Sequence, residues 1–485
     1  MFYKLTEKYM LRGWEKLPYA LVDRFQGYTT FLTPMEMNVL KLCNGKVDFS
    51  LPVFDDQIRD IVIKFGEKGV VAKCEQNEGI EPVQKYRFYE SRYIKSAHWS
   101  VTGRCNFCCR HCYMSAPDAK FGELSHEETI SIVDQLAECG IMSVSLTGGE
   151  CLVRRDFLDI VDRLMGHGIL IKTIYSNGAL VNETLLSALD SRGIHPEFNM
   201  SFDGVDGWHD WLRGIDGAAE MLDRAFKLCR QMGFPTGAEM CLHGKNRNTL
   251  RASVNYLRDV GCRSLKVVPV SNVGEWVKNS DGAALSLDEL YQIYLDYIPQ
   301  YYEDHMPLSI MLGGFFSADP RDPAFYDIPM YHYPQEPSQC VVCNHARTVM
   351  YISPEGRVLP CMSLSGMDIQ NRFPLIREMG LKNCLNDSYY MNFISSRAVE
   401  VMEHNRECVE CAYRKWCRGG CRASGLEFSG QVDPFHRDEA ACKLFRSGWA
   451  AKLMHMMKAR FPDKDSPVLH DQEFRKIQKC KIQKM

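Results

Sequence analysis

Apolar and polar residues alternate with two periods through the middle of the chain, from residue 96 to about residue 273. Short apolar runs predict strands, and after each run the apolar residues recur every three to four positions, as on an amphipathic helix. The predicted strands cover residues 97–101, 142–146, 169–175, 197–202, 237–242 and 265–270. Six such strand and helix units in succession predict an α/β fold with a parallel, barrel-like sheet.

The pattern near the N-terminus predicts a smaller unit of short strands, two helices and a further strand, between residues 15 and 74. Thr33 and Glu36 form a capping box at the start of the first helix. The second helix, at 55–65, is followed by a strand at 70–72. This order is that of a small winged helix. Because the second helix carries more acidic than basic residues, the pattern argues against a phosphate backbone as its partner.

Length and composition limit the class of protein. The 485 residues exceed what one hydrophobic core usually supports, so two or more domains are expected. The net charge of -3 gives no bulk attraction to nucleic acid or acidic membranes. Charged residues interrupt the first 14 residues, and no apolar run reaches the roughly 20 residues of a membrane helix. We therefore expect a cytoplasmic protein.

The chain has 21 cysteines, and many of them are clustered. The cytosol keeps thiols reduced, so clustered cysteines in a cytoplasmic protein indicate metal ligands rather than disulfides. Within the first cluster, Cys105, Cys109 and Cys112 are separated by three and then two residues. Zinc would normally take a fourth protein ligand. Three thiolates on an iron-sulfur cubane instead leave one iron open for a small molecule, and both metals suit the loop considered alone.

This cysteine loop resembles the signature of the radical S-adenosylmethionine (SAM) superfamily. The resemblance implies a 4Fe-4S cluster on Cys105, Cys109 and Cys112, with SAM on the open iron. His111 takes the position of the aromatic residue that lies against the cofactor, and Cys108 is an extra thiol outside the ligand set. The resemblance also implies the TIM-like (β/α)6 partial barrel of that superfamily, here residues 93–318.

Further residues at the predicted strand ends match segments that bind SAM in this superfamily. They are Gly148, Gly149, Glu150, Asn177, Ser201 and Arg213. Amide and hydroxyl groups suit a ribose, and a guanidinium suits a carboxylate. Cys151 stands where a proline usually follows the glycine motif. In barrels of parallel strands, active sites form where the strands end on their carboxyl side, so the shared placement of these residues favours one active site.

The cysteines from Cys343 to Cys442 resemble the pattern of the SPASM extension, here residues 338–450, with a zinc ribbon as the alternative for the group at 408–421. The resemblance implies two auxiliary 4Fe-4S clusters. Its ligand order assigns the first to Cys340, Cys343, Cys361 and Cys421, and the second to Cys408, Cys411, Cys417 and Cys442. If Cys340 is not a ligand, one iron of the first cluster stays open for a substrate thiolate.

The N-terminal unit, residues 1–92, resembles the PqqD-like winged helix of peptide-modifying systems. Such domains bind a leader peptide by adding it as a strand to an exposed sheet edge. Residues 319–337 are rich in Pro, Asp and Tyr and are predicted to be a linker. Residues 451–485 are predicted to form a C-terminal helix and a basic tail.

Together these resemblances identify the chain as a radical SAM/SPASM maturase of a ribosomally synthesised precursor peptide. They imply an oxidoreductase that uses SAM and three 4Fe-4S clusters under anaerobic conditions. It would receive electrons from a flavodoxin or ferredoxin and act, as a monomer, on a precursor with a leader segment. A 5'-deoxyadenosyl radical would abstract a hydrogen from the peptide, and the favoured product is a cysteine thioether of the sactipeptide or ranthipeptide type.

Three alternatives remain. Carbon–carbon cross-linking or epimerisation of a peptide comes first, and an anaerobic sulfatase maturase second. Sulfatase maturases usually lack the N-terminal unit and have an aspartate where this chain has Met362. A zinc-binding winged-helix regulator is the alternative without catalysis, but it does not account for the polar residues at the strand ends. No residue is assigned as the catalytic base.

Overall fold

A computed structural model describes residues 1–118, 120–332 and 335–462. These residues form three sheets, of two, four and eleven strands. None of the helices in the described ranges is long and apolar enough to cross a membrane. The predicted basic tail, from residue 463 onwards, lies outside the described residues.

Two small sheets and two helices build the N-terminal unit. Its elements are β1 (Phe2–Leu5), β2 (Tyr9–Trp14), β3 (Leu17–Asp23), β4 (Thr29–Phe31), α1 (Pro34–Leu42), α2 (Asp56–Glu67), β5 (Val71–Cys74) and β6 (Arg87–Tyr89). Strand β1 pairs antiparallel with β5, and the other strands are ordered β4-β3-β2-β6. The predicted capping box is confirmed, because the side chains of Thr33 and Glu36 each accept from the other residue's backbone N–H.

An aromatic cluster fixes the N-terminal unit to the large sheet. Trp14 is fully buried, stacks on Tyr89 at 5.6 Å and meets the edge of Tyr93 at 4.9 Å. Met142 packs against this cluster from the loop that enters the large sheet. At Gly140, which has a φ of +73°, an added Cβ would lie 2.6 Å from the Trp14 and Tyr89 rings. The N-terminal unit therefore shares a core with the barrel.

The middle of the chain alternates strands and helices as the pattern predicts. The strands are β7 (Ser96–Ser100), β8 (Ser143–Thr147), β9 (Leu170–Ser176), β10 (Glu197–Ser201), β11 (Thr236–Leu242) and β12 (Ser264–Pro269). The intervening helices are α3 (His126–Glu138), α4 (Phe157–Gly166), α5 (Glu183–Asp190), α6 (Trp208–Arg213), α7 (Ala218–Gln231) and α8 (Leu250–Asp259). All neighbouring strands of this series pair in parallel. The predicted parallel sheet is thus confirmed.

The large sheet continues beyond these six strands on both sides. The following elements are α9 (Trp276–Asn279), α10 (Leu287–Glu303), β13 (Ser309–Leu312), β14 (Phe316–Asp319), β15 (Asp322–Asp327), β16 (Val349–Ile352) and β17 (Val358–Leu359). β13 adds in parallel to β12, and β16 adds in parallel to β7. The strand order runs linearly from β15 to β17. Part of the segment predicted as a linker, 319–337, forms β15, because the chain turns back after Asp319 and pairs with β14.

Short helices make up most of the C-terminal part. They are α11 (Ile376–Met379), α12 (Leu381–Cys384), α13 (Ser388–Ser395), α14 (Ala398–His404), α15 (Arg406–Val409), α16 (Arg414–Cys417), α17 (Arg422–Phe428), α18 (Glu439–Arg446) and α19 (Trp449–Arg460). The C-terminal helix expected within residues 451–485 is α19. It begins at Trp449, because Gly448, with a φ of +81°, separates it from α18.

The strands of the large sheet have one apolar and one polar face. Val144, Ile174, Met200 and Met240 lie on the apolar face and are buried in the core that includes the helices. Successive side chains of a strand point to opposite faces, so their neighbours lie on the face away from the helices. That face, which we call the lumen, carries His98, Ser145, Thr173, Tyr175, Asn199, Glu239 and Lys266. A polar lumen means that the barrel interior is not a second packed core.

Candidate active site at the strand ends

The loop after β7 brings Cys105, Cys109 and Cys112 close to one another. Burial raises the pKa of all three thiols, that of Cys105 to about 12, and the other two cysteines contribute to the shift of Cys105. The backbone N–H of Phe107 donates to Cys105 Sγ at 3.4 Å, and that of Ala116 donates to Cys112 Sγ at 3.3 Å. N–H donors around sulfur are typical of iron-sulfur ligands. Cys108, by contrast, is exposed.

Two side chains from the segments that follow β9 and β10 also reach this loop. Asn177, after β9, donates from Nδ2 to Asn106 Oδ1 at 2.8 Å and lies 3.9 Å from Cys105 Sγ. Arg213, at the end of α6, has its Nη1 3.8 Å from Cys109 Sγ. Ser201 ends β10 and is half-buried. The structure thus places three of the residues expected to contact SAM around the edge of the sheet that carries the cysteines.

The glycine pair after β8 packs against the backbone of the cysteine loop. A Cβ on Gly148 would lie 2.7 Å from the Thr102 carbonyl oxygen, and one on Gly149 would overlap the Arg104 carbonyl. The backbone N–H of Gly149 also donates to Thr102 at 2.9 Å. Both glycines therefore allow the two loops to approach each other, a role that the sequence pattern alone does not indicate.

The carboxylate of Glu150 is almost fully buried and is bonded within the protein. It accepts from the backbone N–H of Asn177 at 2.7 Å and of Leu152 at 3.1 Å, and from Ser176 Oγ at 3.0 Å. Burial raises its pKa, and these donors oppose the rise. Glu150 thereby fixes the end of β9 and the position of Asn177. Cys151 is buried beside it, as expected for a packing thiol, with its Sγ 3.4 Å from the Tyr175 carbonyl oxygen.

An ion pair is buried beneath His111. Arg213 Nε donates to Asp203 Oδ2 at 2.6 Å, and the Asp203 side chain is inaccessible to solvent. Burial alone would raise the pKa of Asp203, but Arg213 and His209 hold it well below its usual range. His111 Nδ1 is buried without a hydrogen-bond partner among the described residues, and burial lowers its pKa to about 3. Ligand atoms of His111, Asp203 and Cys241 lie within 4.8 Å of one another.

The C-terminal cysteines form two separate groups. In the first, burial together with Cys421 and Cys343 raises the pKa of Cys361 to about 12, so these three thiols are neighbours. Cys340 faces elsewhere: its Sγ lies 3.8 Å from the Pro337 carbonyl oxygen, and Arg418 opposes the rise of its pKa on burial. The structure brings together three of the four residues expected at this site.

The second group surrounds one small cavity of about 20 Å³, which Tyr413, Phe445 and Arg446 also line. Its cysteines are Cys408, Cys411, Cys417 and Cys442. Burial raises the pKa of Cys417 to about 12 and of Cys442 to about 11. Four thiols around one enclosed space fit a 4Fe-4S cluster or a zinc ion.

The segment that follows Cys361 lies against the cysteine loop of the barrel. A Cβ on Gly366, which has a φ of +85°, would lie 2.6 Å from the carbonyl oxygen of Tyr113, next to Cys112. Tyr351, on β16, is fully buried and interacts with Tyr113. The pairing of β16 with β7 therefore carries the C-terminal domain to the barrel edge where the loop cysteines lie.

The sequence points to Asp203 without giving it a role, and it assigns none to Cys241, Tyr113 or Tyr351. Asp203 follows a predicted strand end, and that position was a signal for it. Tyr351 had no such signal, because β16 was not predicted to join the barrel sheet.

Comparison with known proteins identifies one domain of the chain. Residues 99–257 match the Radical SAM superfamily, so the chain contains a radical SAM domain. PqqA peptide cyclase from Granulibacter bethesdensis is 26% identical over 338 residues, which cover 69% of this chain and 83% of that protein. AdoMet-dependent heme synthase from Oleidesulfovibrio alaskensis is 26% identical over 359 residues, 68% of this chain and 83% of the synthase.

A solved structure shows the same fold over most of the chain. SuiB from Streptococcus suis, in its structure bound to the precursor peptide SuiA, superposes with a TM-score of 0.65 at 16% identity. The match covers 91% of this chain and 100% of the SuiB chain.

Proposed function

We propose that this chain is a radical SAM enzyme that installs a cysteine thioether cross-link in a ribosomally synthesised precursor peptide. The observation that carries the proposal is the position of Cys105, Cys109 and Cys112 at the strand ends of a radical SAM domain, with two further groups of thiols behind them. When bound, a 4Fe-4S cluster with SAM supplies the radical that removes a hydrogen atom from the substrate. The N–H donors at the loop sulfurs fit that cluster.

The chain's own residues would prepare the site for the cofactor. In this proposal Arg213 binds the carboxylate of SAM, and Asp203 keeps its guanidinium charged and fixed in the buried site. Glu150 orients Asn177 through the backbone, so that the Asn177 amide faces the cofactor side of the loop. The burial of His111 would exclude water from that side.

The names of two compared proteins support a peptide substrate. One relative is a peptide cyclase, and SuiB was solved with a precursor peptide bound. Because the heme synthase is named for a different reaction, the substrate class is the subject of a direct test. In the proposal, residues 1–92 are a PqqD-like winged helix that holds the leader and residues 338–450 are a SPASM domain with two auxiliary clusters. A flavodoxin or ferredoxin supplies electrons to this cytoplasmic monomer.

The test is anaerobic reconstitution with iron and sulfide, followed by incubation with SAM and dithionite. We expect about twelve irons per chain, as three 4Fe-4S clusters require, and formation of 5'-deoxyadenosine. Peptides encoded by short reading frames beside the gene are then added. A mass loss of two hydrogens per cross-link on a cysteine-containing peptide supports the thioether, whereas activity on a porphyrin and on none of the peptides refutes the proposal.

Cys340 and Cys361 should differ in how they affect the first auxiliary cluster. We expect Cys361→Ala to lose about four irons per chain, because it removes one of three converging thiols. Cys340→Ala should keep that iron, since its thiol faces Pro337 and Arg418. Iron analysis and electron paramagnetic resonance of both variants check this, and equal iron losses would contradict it.

The free edge of β5 is the proposed place for the leader. Among the described residues β5 pairs with β1 alone, and Lys73 is exposed. The Thr6 N–H donates to Val70, while the Leu5 N–H donates to Cys43, away from β5. Because hydrogen-bonded positions alternate along an antiparallel pair, the N–H of Lys73 points to the free edge.

Lys73→Pro should therefore weaken binding of the full precursor about fivefold, through the loss of one backbone hydrogen bond. Lys73→Ala is the matched control, because it removes the same side chain but keeps the N–H. Fluorescence anisotropy with labelled precursor measures both variants. This design is preferable to deleting residues 1–74, which would expose the Tyr89 and Met142 side of the shared aromatic core. Equal affinities of the two variants would refute the proposal that the leader binds at the free edge of β5.

A further inference from the structure

The lumen contains buried polar atoms that have no partner in the protein. His98 Nε2 and Asn199 Oδ1 are both buried without a hydrogen bond among the described residues. His98 stacks on Tyr175 at 4.9 Å and meets the edge of Tyr351 at 5.8 Å. Burial lowers the pKa of His98 to about 4, so it is neutral at pH 7 and has one donor and one acceptor nitrogen. Buried polar groups are normally satisfied, and these therefore indicate that a polar ligand enters the lumen.

A lysine at the N-terminal end of the same face also lacks a counter-charge. Val144 pairs with Ile171 and the next residue, Ser145, pairs with Thr173, so Lys172 is an extra residue in β9. Lys172 and Thr173 then both lie on the lumen side, because a bulge places two residues opposite one. Within the described residues no carboxylate lies within ion-pair distance of Lys172, whose side chain is partly buried. Burial lowers its pKa, and the neighbouring ammonium of Lys95 lowers it further.

The charged groups around Lys172 are already engaged or lie at a greater distance. The charge of Asp23 raises the pKa of Lys172 from beyond ion-pair distance, but Asp23 accepts from the backbone N–H of Phe25 and Gln26 at 2.9 Å and pairs with Lys8 at 3.4 Å. Deeper in the lumen, Glu239 pairs with Lys266 at 2.6 Å. Glu197, which pairs with Thr173 in the sheet, is a further carboxylate on the lumen face, and burial raises its pKa. On the opposite side, burial and Lys95 lower the pKa of His345.

The N-terminal unit lies beside these lysines. The turn between β3 and β4 places Gly27 so that an added Cβ would lie 3.3 Å from Lys172 Nζ. Lys172 Nζ is 5.8 Å from the ring centre of Tyr28. Tyr28 and Phe25 are nevertheless 63% and 64% exposed. The turn thus carries two exposed aromatic rings, and one of them, Tyr28, lies near the ammonium of Lys172 at the entrance to the lumen.

We propose that this entrance, which consists of Phe25, Tyr28, Lys95 and Lys172, binds an acidic segment of the substrate peptide on its way into the lumen. The proposal rests on the proposed function for the existence of a peptide substrate. A partly buried ammonium without a counter-charge is costly, and an Asp or Glu side chain of the peptide would offset that cost. The aromatic rings would cover the apolar part of the same segment. Residues of the peptide beyond it would reach the unpartnered polar atoms of His98 and Asn199.

The test measures binding of labelled octapeptides to the reconstituted holoenzyme. The probes are fluorescein-labelled (Gly-Glu)4 and (Gly-Lys)4, and the readout is anisotropy at low salt. We expect the glutamate peptide to bind more tightly, and Lys172→Glu to weaken it about tenfold or more. Lys172→Met should weaken it less, because it removes the charge without reversing it. Lys227→Glu, on the outer helix α7, makes the same charge change away from the entrance and should leave binding unchanged.

Two results would overturn the proposed peptide entrance. They are equal affinities of the two octapeptides, or equal losses of affinity in Lys172→Glu and Lys227→Glu. Formation of 5'-deoxyadenosine without peptide should be the same in all variants, because none of them touches the cofactor site. Failure of that reaction in the unaltered protein would instead refute the proposed function, so the two failures are distinguishable.

Discussion

Replacing Cys105, Cys109 and Cys112 together by alanine should reduce formation of 5'-deoxyadenosine from SAM to the background of cluster-free protein. The three thiols converge on one loop. The triple variant therefore removes all three proposed protein ligands of the cluster at this site. The triple variant should keep about eight of about twelve irons, because the C-terminal thiols form separate groups. Iron analysis and chromatography of the reaction products provide the two measurements.

Cys108→Ala is the matched control within the same loop. Cys108 is exposed, whereas its neighbour Cys109 is half-buried, so the loss of Cys108 should leave both the iron content and the product unchanged. A Cys108→Ala protein without 5'-deoxyadenosine formation would mean that the ligand set is shifted by one residue. Residual product in the triple variant would refute the assignment of this loop altogether.

Asp203→Asn should lower the free energy of unfolding by about 3–5 kcal/mol, because it leaves the buried Arg213 without its counter-charge. The amide can still accept from the Cys241 N–H, which donates to Asp203 at 3.0 Å, so the change is mainly electrostatic. Because the folded-state pKa of Asp203 lies below its unfolded value, its contribution is present above about pH 4 and is lost as the pH falls further. Denaturant unfolding of the holoenzyme, followed by tryptophan fluorescence, measures the effect.

Asp162→Asn is the matched surface control. Asp162 forms a two-bond pair with Arg192, as close as the buried one, but it is 53% exposed. Exposed pairs contribute little, so a loss of less than about 1 kcal/mol is expected. A similar loss in both variants would contradict the special role of the buried pair. The double variant Asp203→Leu with Arg213→Met should recover part of the stability, since it removes both charges, yet it should not restore SAM cleavage.

Sequence patterns located most strands of the barrel and most candidate site residues. They did not predict which contacts some of these residues make. Gly148 and Gly149 were selected for an approach to the cofactor, while the structure shows them packed against the carbonyls of Thr102 and Arg104. Glu150 was expected to contact SAM, yet its carboxylate accepts three hydrogen bonds within the protein. A motif identifies a residue type at a position, whereas its partners depend on loops distant in sequence.

The sequence by itself determined the parallel sheet, the strand ends that carry the chemistry, and the grouping of the cysteines, because hydrophobic periodicity and residue spacing are local properties. Only the tertiary structure decided how those parts meet. Pairing of β16 with β7 places the C-terminal part of the chain beside the strand that leads into the cysteine loop. The register shift in β9 leaves Lys172 on the lumen side, next to the N-terminal turn. Such contacts join residues far apart in the chain, so they depend on packing and on the burial of charge, which no local pattern records.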